Sequence, residues 1–298
     1  MRALVTGATG FVGAHLVRAL VDDGDTVHAI VRPDSDPDRL RLLEGATVHP
    51  SDGTVYDLSR IVGEARPDVV HHLAALFIAE HRLEHVAPLI EANLGFGTAL
   101  LEAMRLHEVD ALVNTGTVWQ HYEDAEYDPV CLYAATKQAF EAIVVHYRNT
   151  NGLRAITLEL TDTYGPNDPR GKLIALLLRL AREGGGVDIS PGEQRLDLVH
   201  ASDVTRAFRG AAERVRELAP GAEERYVVRS GEPLSVRELA GLVEDVSGAR
   251  LDLRWGARPY RAREVMEPAR IGETLPGWRA EVPLRRGLED LWAEGGAR

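Results

Sequence analysis

The octet TGATGFVG at residues 6–13 restricts this chain more than any other stretch, set between the apolar run Ala3-Leu4-Val5 and a helical pattern that begins at Phe11. Gly7, Gly10 and Gly13 fall in a turn from strand to helix. There the first takes a backbone conformation a side chain would resist, the second lets the main chain approach a pyrophosphate, and the third lets the helix lie close to the sheet. The helix amides then face the diphosphate, and the site needs no cation of its own. Val12, Leu16 and Leu20 follow in one row with Val17 and Val21 beside it, the mark of an amphipathic helix. A glycine string alone says little in a chain with 28 glycines. Its place behind a strand that starts at residue 2 makes it a dinucleotide site, with Thr9, Phe11 and Val12 contributed by the same loop.

At 298 residues the chain has room for one large α/β domain, or one domain with a smaller lobe, and for a sizeable core. A net charge of −12 argues against a nucleic-acid or anionic-membrane surface. The single cysteine, Cys131, excludes a disulfide framework and a thiolate-rich metal site. No segment resembles a signal peptide and no apolar run reaches membrane-spanning length, so the expected location is cytoplasmic.

The run Thr26 to Val31 is a second buried strand with Arg32-Pro33 at its tip. An acid there would hold the adenosine ribose, whereas an arginine accepts a 2′-phosphate. Arg32 therefore favours NADP(H) over NAD(H), although Asp34 and Asp36 would also suit a solvated arginine. A short strand at 46–49 precedes Ser51-Asp52-Gly53, where Asp52 either lies near the adenine edge or caps the helix of 54–65. The next strand, 68–73, ends in Leu73-Ala74-Ala75, small enough for backbone to pass beside a cofactor. His71 and His72 point to opposite faces of that strand, so they share no metal ion. A long helical pattern from Leu83 to His107 carries Asn93, a further cofactor contact, and strand 111–115 follows.

Residues 133–150 read as a helix, 154–160 as a strand and 161–170 as a turn-rich stretch. Beyond it the pattern loosens. A helix at 172–183 is broken by Gly184-Gly185-Gly186, a strand at 196–199 leads into a helix from Ser202, and strands at 225–229 and 250–254 flank a helix opened by a Ser235/Glu238 capping box. The expected fold is α/β, a Rossmann-type doubly wound parallel sheet with a smaller C-terminal substrate-binding lobe. Residues 1–165 form the dinucleotide-binding domain, with later strands added from about 187–230, and 166–298 form mainly the substrate lobe, interleaved with the first.

Tyr133 and Lys137 stand four apart on one helix and therefore share a face. A free tyrosine hydroxyl titrates near 10, and a neighbouring ammonium is expected to lower it. Thr115, at a strand's carboxyl end, supplies a hydroxyl for the same pocket. The three make a proton donor, its electrostatic partner and an orienting group around a carbonyl carbon.

These motifs resemble the extended short-chain dehydrogenase/reductase family of NAD(P)-dependent sugar-nucleotide epimerases, dehydratases and reductases. The resemblance spans essentially the whole chain through TGATGFVG, TGTVWQ at 115–120, YAATK at 133–137, TYGP at 163–166 and QRLDLVHASDV at 194–204. It implies that Thr115, Tyr133 and Lys137 are catalytic. In the family the catalytic hydroxyl stands three residues before a Val-Tyr-Gly, and here Val118-Trp119-Gln120 occupies that place. Within the family the segments NTGTVWQHY, LYAATKQAFE and LTDTYGPNDPR are most similar to reductases of nucleotide-linked 4-keto-deoxyhexoses of the CDP-abequose synthase type. The resemblance further implies that Arg195 and Asp197 border the nucleotide sugar and that Arg261 meets its diphosphate. Thr117, Thr161, Asp162 and Lys172 complete the implied substrate contacts, and a homodimer is implied through the helices that begin near Asn93 and Tyr133.

A 4,6-dehydratase of this family carries an Asp-Glu pair directly after the catalytic threonine, where this chain has Gly116-Thr117. An epimerase retains its cofactor, commonly NAD held by an acid at the second strand tip, whereas Arg32 suits an NADPH exchanged at each turnover. The sequence thus points to NADPH-dependent reduction of a CDP- or dTDP-linked 4-keto-deoxyhexose. The alternatives are a nucleotide-sugar 4-epimerase and a non-catalytic NADP(H) sensor on the same fold.

Overall fold

The computed structural model describes residues 1–295. Its larger strands are β1 (Arg2–Thr6), β2 (Thr26–Val31), β3 (Thr47–Pro50), β4 (Val69–His72), β5 (Ala111–Thr117) and β6 (Arg154–Leu160). Short strands follow, β7 (Asp162–Tyr164), β8 (Gly186–Ile189), β9 (Arg195–Leu196) and β10 (Leu198–His200), and then β11 (Glu223–Val228), β12 (Leu234–Ser235) and β13 (Asp252–Trp255). The helices of the first half are α1 (Phe11–Asp22), α2 (Pro37–Arg41), α3 (Val55–Ala65), α4 (Val86–Ile90) and α5 (Phe96–Leu106). Those of the second are α6 (Leu132–Asn151), α7 (Leu173–Glu183), α8 (Ala201–Glu217), α9 (Val236–Ser247) and α10 (Leu284–Gly295).

Seven parallel strands form the main sheet in the order β3-β2-β1-β4-β5-β6-β11. The order reverses between β1 and β4, and the crevice outside the carboxyl ends at such a point is where ligands bind in open sheets. One face packs on α1 and α8 through Leu16, Val17, Leu20, Val204, Phe208 and Val215. The other packs on α3, α5 and α6 through Leu58, Ile61, Leu100, Met104, Phe140 and Val144. Strands buried on both faces read as the near-continuous apolar runs seen in the sequence.

The smaller lobe has its own core of Leu177, Leu178, Leu239, Val243 and Leu288 between α7, α9 and α10. Its strands differ from expectation. Of those in the 187–230 range, only β11 joins the main sheet, while β8 pairs with β13, β9 with β12 and β10 with β7. The stretch read as one strand at 196–199 is two strands, broken at Asp197. The helix read as continuous from Leu83 to His107 is a 3-10 turn, α4, a π-helical turn at Glu91–Gly95, and α5. That π turn carries Asn93. The sequence pattern also passed over α2 and α10.

Candidate active site

The glycine turn adopts the shape its spacing predicts. Gly7 has φ +66°, and a Cβ there would lie 2.6 Å from the Ala74 nitrogen; one at Gly13 would collide with the Gly7 carbonyl. The Gly10 amide donates to the Gly7 carbonyl at 2.9 Å, and α1 starts directly after it with no side-chain cap. The first amides of α1 thus remain for a ligand, and the cradle fits a dinucleotide diphosphate. The Ala74 amide, in turn, donates to Thr6 Oγ1 at 3.2 Å, which holds the Leu73-Ala74-Ala75 backbone beside the turn. Phe11 is buried and Val12 packs on the core.

Arg39 carries no motif that marks it in the sequence, yet its guanidinium donates to the carbonyls of Thr9 (2.9 Å), Gly10 (3.1 Å) and Asn167 (3.1 Å). Arg170 lies over the Phe11 ring, 4.1 Å from its centroid. Two arginines from distant segments therefore brace the turn. Arg32 stands at the β2 tip, paired with Asp34 at 3.5 Å, with both side chains more than 80% exposed; an ion pair so solvated is readily given up.

Three expected cofactor contacts are engaged elsewhere. Asp52 Oδ1 accepts from the Thr54 amide at 2.9 Å, so its carboxylate builds the turn into α3, and Gly53 supplies that turn's φ of +81°. Asn93 is buried: its Oδ1 accepts from the Leu76 amide at 2.7 Å, and its Nδ2 donates to the Leu76 carbonyl (3.1 Å) and Thr136 Oγ1 (2.9 Å). Asn93 thus pins the loop after β4 to α6 and has no amide proton left for a cofactor.

Tyr133 and Lys137 are both buried on α6. Burial draws Lys137 down to about 8, with Glu141 pulling the other way. Burial pushes the Tyr133 hydroxyl up, against the lowering the sequence leads one to expect. A phenolate out of water is poorly solvated, and Cys131 pushes the hydroxyl the same way. Thr115 Oγ1 donates to the His72 carbonyl at 2.9 Å. Thr117 is buried and accepts from the Trp119 amide at 3.3 Å, capping a 3-10 turn at Val118–Gln120. His71 and His72 do face opposite ways, His71 toward Phe208 on α8 and His72 toward Phe96 and Phe140 on α5 and α6.

A cleft of about 550 Å³ opens between the sheet and the smaller lobe, lined among others by Phe77, Trp119, Asp162, Lys172, Arg261 and Glu264. Phe77 packs edge-on against Tyr133 (ring centroids 4.9 Å apart) and touches Trp119 (5.5 Å), joining the cleft to α6. Arg261 lies over Trp119 (5.2 Å) with its guanidinium paired to Glu264 at 2.7 Å, and Lys172 Nζ pairs with Asp162 at 3.2 Å. Arg261, Lys172 and Asp162 therefore reach the cleft as expected.

Arg195 and Asp197 do not line it. Gln194, Leu196 and Leu198 do, and alternation along an extended chain turns the odd-numbered residues away. Asp197 is buried and accepts from the Ser230 amide (2.6 Å), Ser230 Oγ (2.8 Å) and the Gly231 amide (2.9 Å). Arg195 donates to the Pro233 carbonyl. Thr161 Oγ1 donates to the Val228 carbonyl at 3.0 Å, joining two segments of backbone. Among the described residues no three His, Cys, Asp or Glu side chains converge on a point, and no helix is long and apolar enough to cross a membrane.

The model of the NAD dependent epimerase/dehydratase family matches residues 3–228. The chain is 25% identical to the CDP-abequose synthase of Salmonella typhimurium, over 97% of this chain and 96% of that protein. It is 30% identical to a UDP-glucose 4-epimerase of Mycolicibacterium smegmatis, again over 97% and 96%. Among solved structures, the UDP-glucose 4-epimerase of Thermus thermophilus in complex with NAD superposes with a TM-score of 0.83 at 26% identity, covering 97% of each chain.

Proposed function

The chain belongs to the NAD-dependent epimerase/dehydratase family, and from that premise we propose that it reduces, with NADPH, the C4 keto group of a CDP- or dTDP-linked 4-keto-deoxyhexose. It is an NAD(P)-dependent enzyme acting on nucleotide sugars. The observation that carries the finer reading is the burial of Tyr133, which holds the hydroxyl proton firmly. A reduction begins with a protonated donor, whereas an epimerisation that first oxidises an alcohol begins by removing a proton.

Two further observations support it. A Cβ at Gly116 would lie 2.9 Å from Glu159 Cγ and 3.2 Å from Gln120 Oε1, so the acid pair of a dehydratase has no room to start there. Arg32, at the β2 tip, suits the 2′-phosphate of NADPH. The dinucleotide, held at Gly7, Gly10 and Gly13, supplies the hydride when bound. Tyr133 then gives its proton to the carbonyl oxygen, Lys137 stabilises the phenolate left behind, and Thr115 turns its hydroxyl from the His72 carbonyl to the substrate oxygen. Arg261 and Lys172 take the diphosphate once their carboxylate partners yield, and guanidinium suits that forked recognition.

The second reading is a 4-epimerase, favoured by the 30% identity to the Mycolicibacterium smegmatis enzyme. One experiment separates the two: incubation with NADPH and a panel of CDP-, dTDP-, UDP- and GDP-linked 4-keto-6-deoxyhexoses and their dideoxy forms, with products identified by NMR. Stoichiometric NADPH oxidation with a 4-hydroxy product is expected. Interconversion of 4-hydroxy sugars without net cofactor change would install the epimerase, and no turnover at all with NADPH bound would leave a sensor.

A further inference from the structure

Gln120, at the end of the 3-10 turn that follows β5, is completely buried. Its Oε1 accepts from the Thr117 amide at 3.0 Å, at the end of β5. Its Nε2 donates to Gln138 Oε1 and Glu141 Oε1, each at 2.9 Å, one residue and one turn past Lys137 on α6. The second oxygen of Glu141 meets Arg225 on β11 at 2.5 Å. Arg225 Nε also lies 3.3 Å from Glu159 on β6, which His121 Nε2 approaches at 3.1 Å. Glu141 and Glu159 are 2% and 1% exposed. Two carboxylates have therefore been taken out of water behind the catalytic helix and share one arginine and one histidine, an arrangement that costs stability unless each charge is matched.

Resting on the reading of Tyr133 and Lys137 as proton donor and cationic partner, we propose that Gln120 and Glu141 are positioning residues for that pair. Gln120 ties the end of the Thr115-bearing strand to α6, and the Glu141 carboxylate, bound by Gln120 and Arg225 rather than ion-paired with Lys137, is the opposite charge one helical turn away that works against the downward pull of burial on Lys137. Glu141 sits one turn after Lys137, on the same helix face. The other titratable groups around Lys137 are Tyr133 and His72 on β4, and His72 is neutral because burial draws it down to about 3. Around Glu141, burial and the carboxylates of Glu159 and Glu223 favour its protonation, while Arg225 and the Gln120 amide favour its charge. Gln120 thereby acts on Lys137 through Glu141. The same demand for space explains Gly116, whose missing side chain leaves room for Gln120 and Glu159.

Lys137 and Lys172 are the only lysines in the sequence, so protein labelled with 13C,15N-lysine yields two side-chain signals, and Lys172→Arg identifies the other. Titrating the Lys137 Cε and Nζ shifts needs no substrate. In Glu141→Gln the Lys137 midpoint is expected about one pH unit lower than in the parent, the scale of losing one close opposite charge. Gln120→Met is expected to lower it by less, and the Gln120→Met/Glu141→Gln double variant to match Glu141→Gln alone, because the path runs through the carboxylate. A loss of packing alone would not produce that order. An unmoved midpoint in either folded single variant, or a Gln120→Met effect that persists in the double variant, overturns the proposal. Failure of every keto sugar to oxidise NADPH while the Lys137 shifts stand would defeat the proposed reaction and leave this link intact.

Discussion

Tyr133 and Lys137 both lie out of water, and burial moves them in opposite directions on the pH scale. The phenol is held protonated and the ammonium is drawn to about 8. Lys137 is charged below that value and loses its charge above it, so kcat/KM for reduction is expected to be level near neutrality and to fall as pH rises through about 8. A pH-rate profile checks this, and a flat alkaline limb would remove Lys137 from the chemistry. Tyr133→Phe is expected to lower turnover by roughly 10²–10⁴-fold, the usual worth of a positioned acid, with cofactor affinity intact by fluorescence titration. His71 makes the same physics visible in stability. Its two ring nitrogens are buried without a protein partner, and burial draws it to about 4. The unfolded chain takes up a proton near 6.5 that the folded chain refuses until about 4, so stability falls as pH drops through that window. His71→Leu is expected to flatten this slope and to raise stability by about 1–3 kcal/mol, read from urea unfolding at pH 5 and pH 7.5. The tyrosine–lysine spacing was legible from the sequence. The upward displacement of Tyr133 was not, because spacing reports which side chains share a face and not how much solvent reaches them.

Elements locate the site more reliably than single residues do. Strand β6 lies at the residues its apolar run indicates, and the Ser235/Glu238 box caps α9 as read; both signals are local, carried by periodicity and by one reciprocal pair of bonds. Asp197 and Asn93 show where such signals stop. Each is a polar residue in a segment near the ligand side of the sheet, and only the register of its segment tells whether it faces the cleft or the interior. A one-residue change of register exchanges the two faces, and the break between β9 and β10 that sets this register has no local marker. Asn93 instead joins the loop after β4 to α6 across 43 residues through Thr136. Asn93→Ala would leave the Leu76 amide and carbonyl and the Thr136 hydroxyl without that partner. It is expected to cost about 1–3 kcal/mol in thermal or urea unfolding and to lower turnover more than cofactor affinity, since the loop it holds carries Phe77 against Tyr133. At the tip of β2, Arg32→Asp is expected to weaken NADPH binding far more than NADH binding. Equal loss of both, measured by isothermal titration, would detach Arg32 from the 2′-phosphate.

At the scale of the whole molecule, one surface is too apolar for water. Leu83, Val86 and Ile90 recur at helical spacing over the 3-10 turn at Leu83–His85 and α4, and they are 90%, 38% and 43% exposed. A stripe at that spacing is the pattern a helix buries against a partner, and among the described residues nothing in the chain covers it. α4 packs beside α6, the helix that carries Tyr133 and Lys137. Pairing of two copies across α4 and α6 would remove the stripe from water and brace the helix that carries Tyr133 and Lys137, so a homodimer is expected to have a consequence for turnover. A two-fold pairing also places each residue against its symmetry mate's surroundings, so one inserted charge acts twice. Ile90→Glu should therefore convert a dimer into a monomer at micromolar concentration in sedimentation or light scattering, with secondary structure retained by circular dichroism, because the side chain it replaces is outside the core. Turnover in that monomer is expected to fall, since α6 loses its support, while NADPH affinity is expected to stay close to that of the parent, because the glycine turn after β1 is not part of the stripe. A parent protein that sediments as a monomer would refute the interface, and an Ile90→Glu protein that remains dimeric would move it to another face.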